Sequence, residues 1–222
     1  MPEQSASTRQ ARSWPAAAKI LAERDPVLRR LVAETGTAQV RPPAETHFEA
    51  LVRAIVYQQL AGAAASAIHG RLIAALDGEI TPERILALSD ETLRSVGLSR
   101  AKVLSLRDLA AKVADGTVVL DPDLLWDEGD AEVVTRLSTV RGIGRWTSEM
   151  FLIFQLQRLD VWPTGDLGVR KGYGLAWGIP TPTAKQLEPL GEPYRPYRSV
   201  VAWYCWRASA LYGGTADSAL TR

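Results

Sequence analysis

Four residues, Arg141-Gly142-Ile143-Gly144, constrain the fold of this chain more than any others. Val133, Leu137 and Val140 lead into them at helical spacing, and an apolar run from Trp146 to Leu156 follows. A glycine on each side of one apolar residue suits a tight reversal. Glycine adopts positive φ, and its missing side chain lets another group approach the backbone. The pattern therefore predicts a helix, a hairpin and a buried second helix opened by Gly144 or Arg145. A helix start carries unpaired N–H groups and the positive end of the helix dipole, so it is a site for a phosphate, and Arg145 adds a charge. The same residues also fit an ordinary αα turn with glycine at C′. The glycines alone do not decide between the two.

A single acid follows about 20 residues later, in Pro163-Thr164-Gly165-Asp166-Leu167-Gly168. Asp166 suits the N-cap of a helix beginning near Leu167. A cap can also be a catalytic group. Its carboxylate could face the sugar of a bound nucleotide and stabilise positive charge as a glycosidic bond breaks.

Every regular element along the chain reads as helix, with no convincing strand alternation. Residues 1–13 are polar and aperiodic and are expected to form a disordered tail. Trp14 to Glu23 reads as a short helix, and Asp25-Pro26 opens another that ends near Gly36. Thr46-x-x-Glu49 is a capping box for an apolar helix from Phe48 to Leu60. Gln58 and Gln59, adjacent at its end, face opposite ways and cannot share one solvated stripe. Ala63 to Leu76 is an Ala-rich helix stopped by Gly78. Thr81-Pro82 and Ser89 start short helices, and Ser99 caps a long one to Asp115. Val96-Gly97-Leu98-Ser99-Arg100 faintly echoes the later hairpin. Lys102 or Arg100 near that start reads first as solvated and second as a phosphate contact.

The chain has 222 residues, with 46% hydrophobic and 23% charged, which supports a real core in one large domain or two small lobes. Cys205 is the only cysteine, so neither an internal disulfide nor a cysteine-ligated cluster can form. His47 and His69 are too few and too far apart for a zinc site. The net charge of +1 is weak for a nucleic-acid binder, although a neutral total can hide a basic face. No apolar run approaches a membrane span and the N-terminus lacks a signal-peptide core. No membrane partner is expected, and the expected location is the cytoplasm, at the nucleoid in a prokaryote.

Together, Val140-Arg141-Gly142-Ile143-Gly144-Arg145-Trp146-Thr147-Ser148 and Asp160-Val161-Trp162-Pro163-Thr164-Gly165-Asp166-Leu167-Gly168-Val169-Arg170-Lys171 resemble the helix-hairpin-helix (HhH-GPD) DNA glycosylases. Within these they are similar to the 3-methyladenine DNA glycosylase II type. The likeness runs from about His47 to about Leu211. It implies an all-α, two-lobed fold with an active-site cleft. One lobe is expected over residues 46–159 and the other over 14–45 with 160–222. The compact form, without the N-terminal β domain of some members, is expected.

The resemblance also assigns roles. Asp166 falls on the family's catalytic aspartate. Trp146 falls where backbone-cutting members carry a nucleophilic lysine, and tryptophan cannot form a Schiff base. A monofunctional glycosylase is implied, acting on duplex DNA with damaged bases and leaving an abasic site without lyase activity. Gln59 is implied as the wedge entering the duplex, with Gln58 beside it. Tyr57, Trp146 and Trp162 are candidates for the base pocket, and core packing fits Tyr57 and Trp162 equally. Gly142, Gly144 and Arg145 would hold phosphate. The carbonyls of Ser138, Val140 and Ile143 would hold a structural Na+ or K+. No other cofactor and no iron–sulfur cluster are implied, and a monomer is expected. Two other readings fit parts of the pattern: a non-catalytic helix-hairpin-helix DNA-binding module, and a glycosylase for uracil or hypoxanthine.

Overall fold

The computed structural model describes residues 13–214, and every regular element among them is helical. The chain forms two compact units. Of the described residues, one holds those up to Pro42 and from Gln157 onward, and the other holds Pro43 to Leu156. No helix among the described residues is long and apolar enough to cross a membrane.

The first unit opens with α1 (Trp14–Arg24) and α2 (Pro26–Thr35). Ser13, assigned to the tail by sequence, instead caps α1: its hydroxyl accepts the Ala16 amide at 3.3 Å. The rest of the expected tail, residues 1–12, lies outside the described residues. Asp25 caps α2 as expected, accepting the Val27 and Leu28 amides.

The second unit begins with α3 (His47–Tyr57), and its predicted capping box is present. The helix stops at Tyr57, short of the expected Leu60. Leu60 is 40% exposed, so its apolar side chain does not extend the buried face. Next come α4 (Gly62–Ala75), α5 (Pro82–Ala87), α6 (Asp90–Ser95), α7 (Arg100–Ala114), α8 (Pro122–Asp127), α9 (Asp130–Leu137) and α10 (Arg145–Met150). The expected continuous helix to Leu156 is broken, because α10 gives way to a π-helical turn at Phe151–Gln155. Phe151, Leu152, Ile153 and Gln155 are all buried, which is more than one α-helical face presents to a core. The wider turn also places the Gln155 amide on the Glu45 carbonyl and on His47 Nδ1, each at 3.0 Å.

The faint echo before the hairpin is broader in three dimensions. Thr81 and Asp121 both cap short helices opened by proline, and α6 and α9 follow them. Each of these ends at a turn with a positive-φ glycine, Gly97 at 106° and Gly142 at 78°. A buried apolar residue comes next, Leu98 or Ile143, and an arginine then opens the following helix.

The chain completes the first unit with α11 (Leu167–Trp177), α12 (Ala184–Leu190) and α13 (Arg198–Tyr212). Helices α11 and α13 pack with their backbones in close approach. A Cβ on Gly172 would overlap the Cys205 carbonyl, and one on Gly168 would lie 2.9 Å from the Trp206 ring. The fully buried Tyr204 hydroxyl accepts the Ala38 amide at 3.0 Å and donates to Gly36 O at 3.1 Å, tying the segment after α2 to α13.

Candidate active site

Asp166 caps α11, and its Oδ1 accepts the Val169 amide at 2.8 Å. The same oxygen accepts the Trp206 indole N–H at 2.9 Å. The residue is 9% exposed. Two donors on one oxygen set the plane of the carboxylate before any ligand arrives. Trp206 carries no local sequence signal, because only the glycine-mediated contact of α13 with α11 brings it there. Burial, with the Asp166 charge added, pushes the neighbouring Cys205 thiol well above its ordinary pKa, so Cys205 is an inert core residue here.

The loop leading to Asp166 is also held by the start of α13 and by Arg195 just before it. Asp160 accepts from Arg198 Nε and Arg195 Nη1, each at 2.8 Å. The Ser199 hydroxyl accepts the Val161 amide at 2.9 Å, and the Ser199 amide bonds the Leu159 carbonyl at 2.9 Å. Trp162 does not fit the base-pocket role offered for it. It is 5% exposed, donates its N–H to Leu187 O at 3.0 Å, and meets Tyr173 edge-on. A Cβ on Gly191 would collide with its indole, so the ring is packed in the core.

In the other unit the Gly142 and Gly144 amides have no acceptor among the described residues. Gly144 caps α10 with no side chain. The earlier turn is bonded differently. The Ser99 hydroxyl caps the Lys102 amide, and Arg71 Nε donates to Val96 O at 2.8 Å. The Gly97 amide of that turn bonds Arg94 O at 3.0 Å, whereas its counterpart at Gly142 has no acceptor among the described residues. Arg145 extends into solvent and pairs with the buried Glu149 at 2.8 Å. Trp146, beside it, is 47% exposed. The carbonyls of Ser138 and Ile143 accept no bond from the described residues, whereas Val140 O accepts the Ile143 amide. Among the described residues no group of three or more His, Cys, Asp or Glu could hold a metal ion.

The two glutamines separate clearly. Gln58 is half-buried, and its amide donates to Gly142 O at 2.9 Å, which joins the end of α3 to the hairpin. Gln59 is exposed and held at φ 57°, a conformation that costs a non-glycine residue of order 1 kcal/mol. Tyr57 is half-buried, with its edge towards His69 and Arg53 6.0 Å from its ring centre. Lys102 is half-buried and its ammonium is engaged by the main chain. Its Nζ caps α3 at Val56 O (2.7 Å), and burial lowers its pKa.

The family model for HhH-GPD superfamily base excision DNA repair proteins matches residues 52–196, which include the hairpin and Asp166. The chain belongs to this superfamily. DNA-3-methyladenine glycosylase 1 of Schizosaccharomyces pombe is 38% identical to it over 169 residues, which is 74% of this chain and 73% of that protein. The structure of a DNA-3-methyladenine glycosidase from Bacillus halodurans superposes with a TM-score of 0.80 at 34% identity, over 89% of this chain and 90% of that one. A 3-methyladenine DNA glycosylase of S. pombe in complex with abasic DNA gives 0.75 at 34% identity, over 87% and 96%. This HhH-GPD chain therefore shares both the all-α fold and substantial sequence with base excision glycosylases.

Proposed function

We propose that this protein is a monofunctional DNA glycosylase that flips N-alkylated purines such as 3-methyladenine out of duplex DNA and hydrolyses their glycosidic bond, leaving an abasic site. The observation that carries this is Asp166, a buried carboxylate held in one plane by Trp206 and Val169. A base within the stack exposes no line of attack at its sugar, so the nucleotide must leave the helix at a cost of a few kcal/mol. An N-alkylated purine is cationic and already a good leaving group, so little general acid is needed. The carboxylate of Asp166 stabilises the oxocarbenium-like sugar and orients the attacking water. The hairpin carries no lysine amine two residues after its second glycine. Trp146 stands there, so no Schiff base forms and no lyase step follows. Its exposed ring is suited to stack on an electron-poor base.

Gln59 is the wedge in this reading. It is exposed at the tip of its turn, whereas Gln58 is committed to the hairpin. The Gly142 and Gly144 amides, with Arg145, bind phosphate. The open carbonyls of Ser138 and Ile143, with Val140, fit a hard monovalent cation, which would supply positive charge beside that phosphate.

The test is base release from methylated duplex DNA, followed by chromatography, with wild type beside Asp166→Asn. Asparagine caps a helix about as well as aspartate, so the variant should fold and bind. It should release 3-methyladenine at least about 100-fold more slowly. Release at the wild-type rate would remove Asp166 from the reaction. Binding by both proteins with no release by either would favour the binding-module reading or another lesion.

A further inference from the structure

Helix α7 presents one polar stripe, Ser105, Asp108 and Lys112, to the inner side of the hairpin. Asp108 Oδ2 accepts the Arg141 amide at 2.7 Å and the Lys112 ammonium at 2.8 Å. Lys112 Nζ also donates to Thr139 O. The ion pair thus holds the main chain of the turn at both polarities, with an acceptor on one peptide N–H and a donor on a carbonyl two residues earlier. Ser105 closes the stripe. Its hydroxyl would be 2.6 Å from a Cβ on Gly142, so that glycine seats directly on α7. The groups taken by the stripe are the Arg141 amide and the Thr139 carbonyl. The groups left without a partner among the described residues are the Gly142 and Gly144 amides and the Ser138 and Ile143 carbonyls.

An ordinary exposed ion pair at i,i+4 spacing contributes only a few tenths of a kcal/mol and needs no backbone partner. A carboxylate beside a phosphate-binding loop would also repel DNA. Its placement makes sense when its lone pairs are used up by the turn and its charge is met by Lys112. Among the described residues no such pair meets the earlier turn, and there Arg71 occupies the Val96 carbonyl.

We infer that Asp108 is a positioning residue for DNA binding: with Lys112 it selects which peptide groups of the hairpin face the phosphate. This rests on the reading that the hairpin grips DNA. What matters on this account is an acceptor placed on the Arg141 N–H, with the negative charge secondary. Asparagine keeps the acceptor and loses the charge. Glutamate keeps the charge and displaces the acceptor.

The experiment measures the dissociation constant for a duplex carrying a tetrahydrofuran abasic-site analogue, and the single-turnover release rate at saturating protein. The variants are Asp108→Asn, Asp108→Glu, Asp108→Ala and, as a control in the hairpin, Gly142→Ala, each with its melting temperature. Asp108→Ala and Asp108→Glu should weaken binding about tenfold, the effect of misplacing one charge-assisted hydrogen bond. Asp108→Asn should bind as tightly as wild type or more tightly, and all three should keep the saturated rate. Equal weakening by Asn and Glu, or weakening by Asn alone, would overturn the inference, because the negative charge and not the acceptor on the Arg141 N–H would then be the working element. Should the alanine variant not fold, the Asn–Glu contrast decides alone. Wild-type binding by every Asp108 variant while Gly142→Ala binds weakly would sink the clamp and leave the hairpin reading standing. Wild-type binding by Gly142→Ala as well would sink both.

Discussion

Trp206 donates its indole N–H to Oδ1 of Asp166 at 2.9 Å from 40 residues further along the chain. That contact depends on Gly168, where a Cβ would lie 2.9 Å from the Trp206 ring and 3.1 Å from the carboxylate. The carboxylate is therefore oriented by two residues that sequence inspection passes over. Trp206→Phe keeps most of the packing and removes the donor. It is expected to slow single-turnover base release roughly tenfold, the order of one hydrogen bond to a charged group. Gly168→Ala should slow it in the same direction by pushing the indole away. Full-rate release by Trp206→Phe would show that the carboxylate is held adequately by the Val169 amide.

Gln59 and Gln58 should separate function from stability. Gln59→Gly removes the proposed wedge and relieves a left-handed backbone at φ 57°. It is expected to leave urea stability unchanged or raised by up to about 1 kcal/mol, while base release from duplex DNA falls. Gln58→Ala removes the 2.9 Å bond to Gly142 O and should lower stability by about 1 kcal/mol. A Gln59→Gly protein that releases bases at the wild-type rate would place the wedge elsewhere.

The local elements were legible because their signals are local. Thr46 with Glu49, Asp25 before Pro26, Ser99 and Asp166 each announce a helix start through side-chain chemistry within three residues, and all four cap in the structure. The hairpin was legible for the same reason. The misses come from distance and packing. Nothing near Trp206 points to Asp166 and nothing near Asp108 points to the Arg141 amide, since those contacts exist only once α13 lies on α11 and α7 lies under the hairpin. Trp162 shows the converse limit: its sequence position fits a stacking surface and a core residue equally, and only the contacts of Gly191 and Leu187 with its indole favour the core. The π turn at Phe151–Gln155 was hidden because an apolar run reads the same for either helix type.

Stability should fall on the acid side of neutrality. Burial lowers the pKa of His47, and burial is also the largest effect lowering His69, ahead of the opposing charge of Glu45. His47 Nδ1 also lies 3.0 Å from the Gln155 amide nitrogen, which donates to Glu45 O. A histidine with a depressed folded pKa contributes stability that is complete above its unfolded value. That stability is lost as pH falls from about 6.5 towards the folded value. Urea midpoints from pH 8 to pH 5 should decline below about 6.5. His47→Asn, which still offers an acceptor to Gln155, should flatten that decline. An unchanged slope in the variant would remove His47 as its source.

The two hairpin glycines should respond differently to the same methyl group. At Gly142 the backbone has φ 78°, and an added Cβ would lie 2.6 Å from Ser105 Oγ. Gly142→Ala therefore combines left-handed strain with overpacking and should cost about 2 kcal/mol of stability or more. Gly144 has φ −103°, and an added Cβ would meet nothing within 4 Å. Gly144→Ala should leave the melting temperature nearly unchanged, because neither backbone nor neighbours resist it. If a DNA phosphate approaches the main chain there, the methyl group occupies its path, and affinity for duplex DNA should fall about tenfold, as for the loss of a charge-assisted hydrogen bond. The decisive measurement is the pair of constants for Gly144→Ala, melting temperature and duplex affinity. Unchanged stability with weakened binding identifies the backbone at Gly144 as a phosphate contact. Unchanged values for both would move the phosphate away from this end of the hairpin and leave the Gly142 amide to hold it.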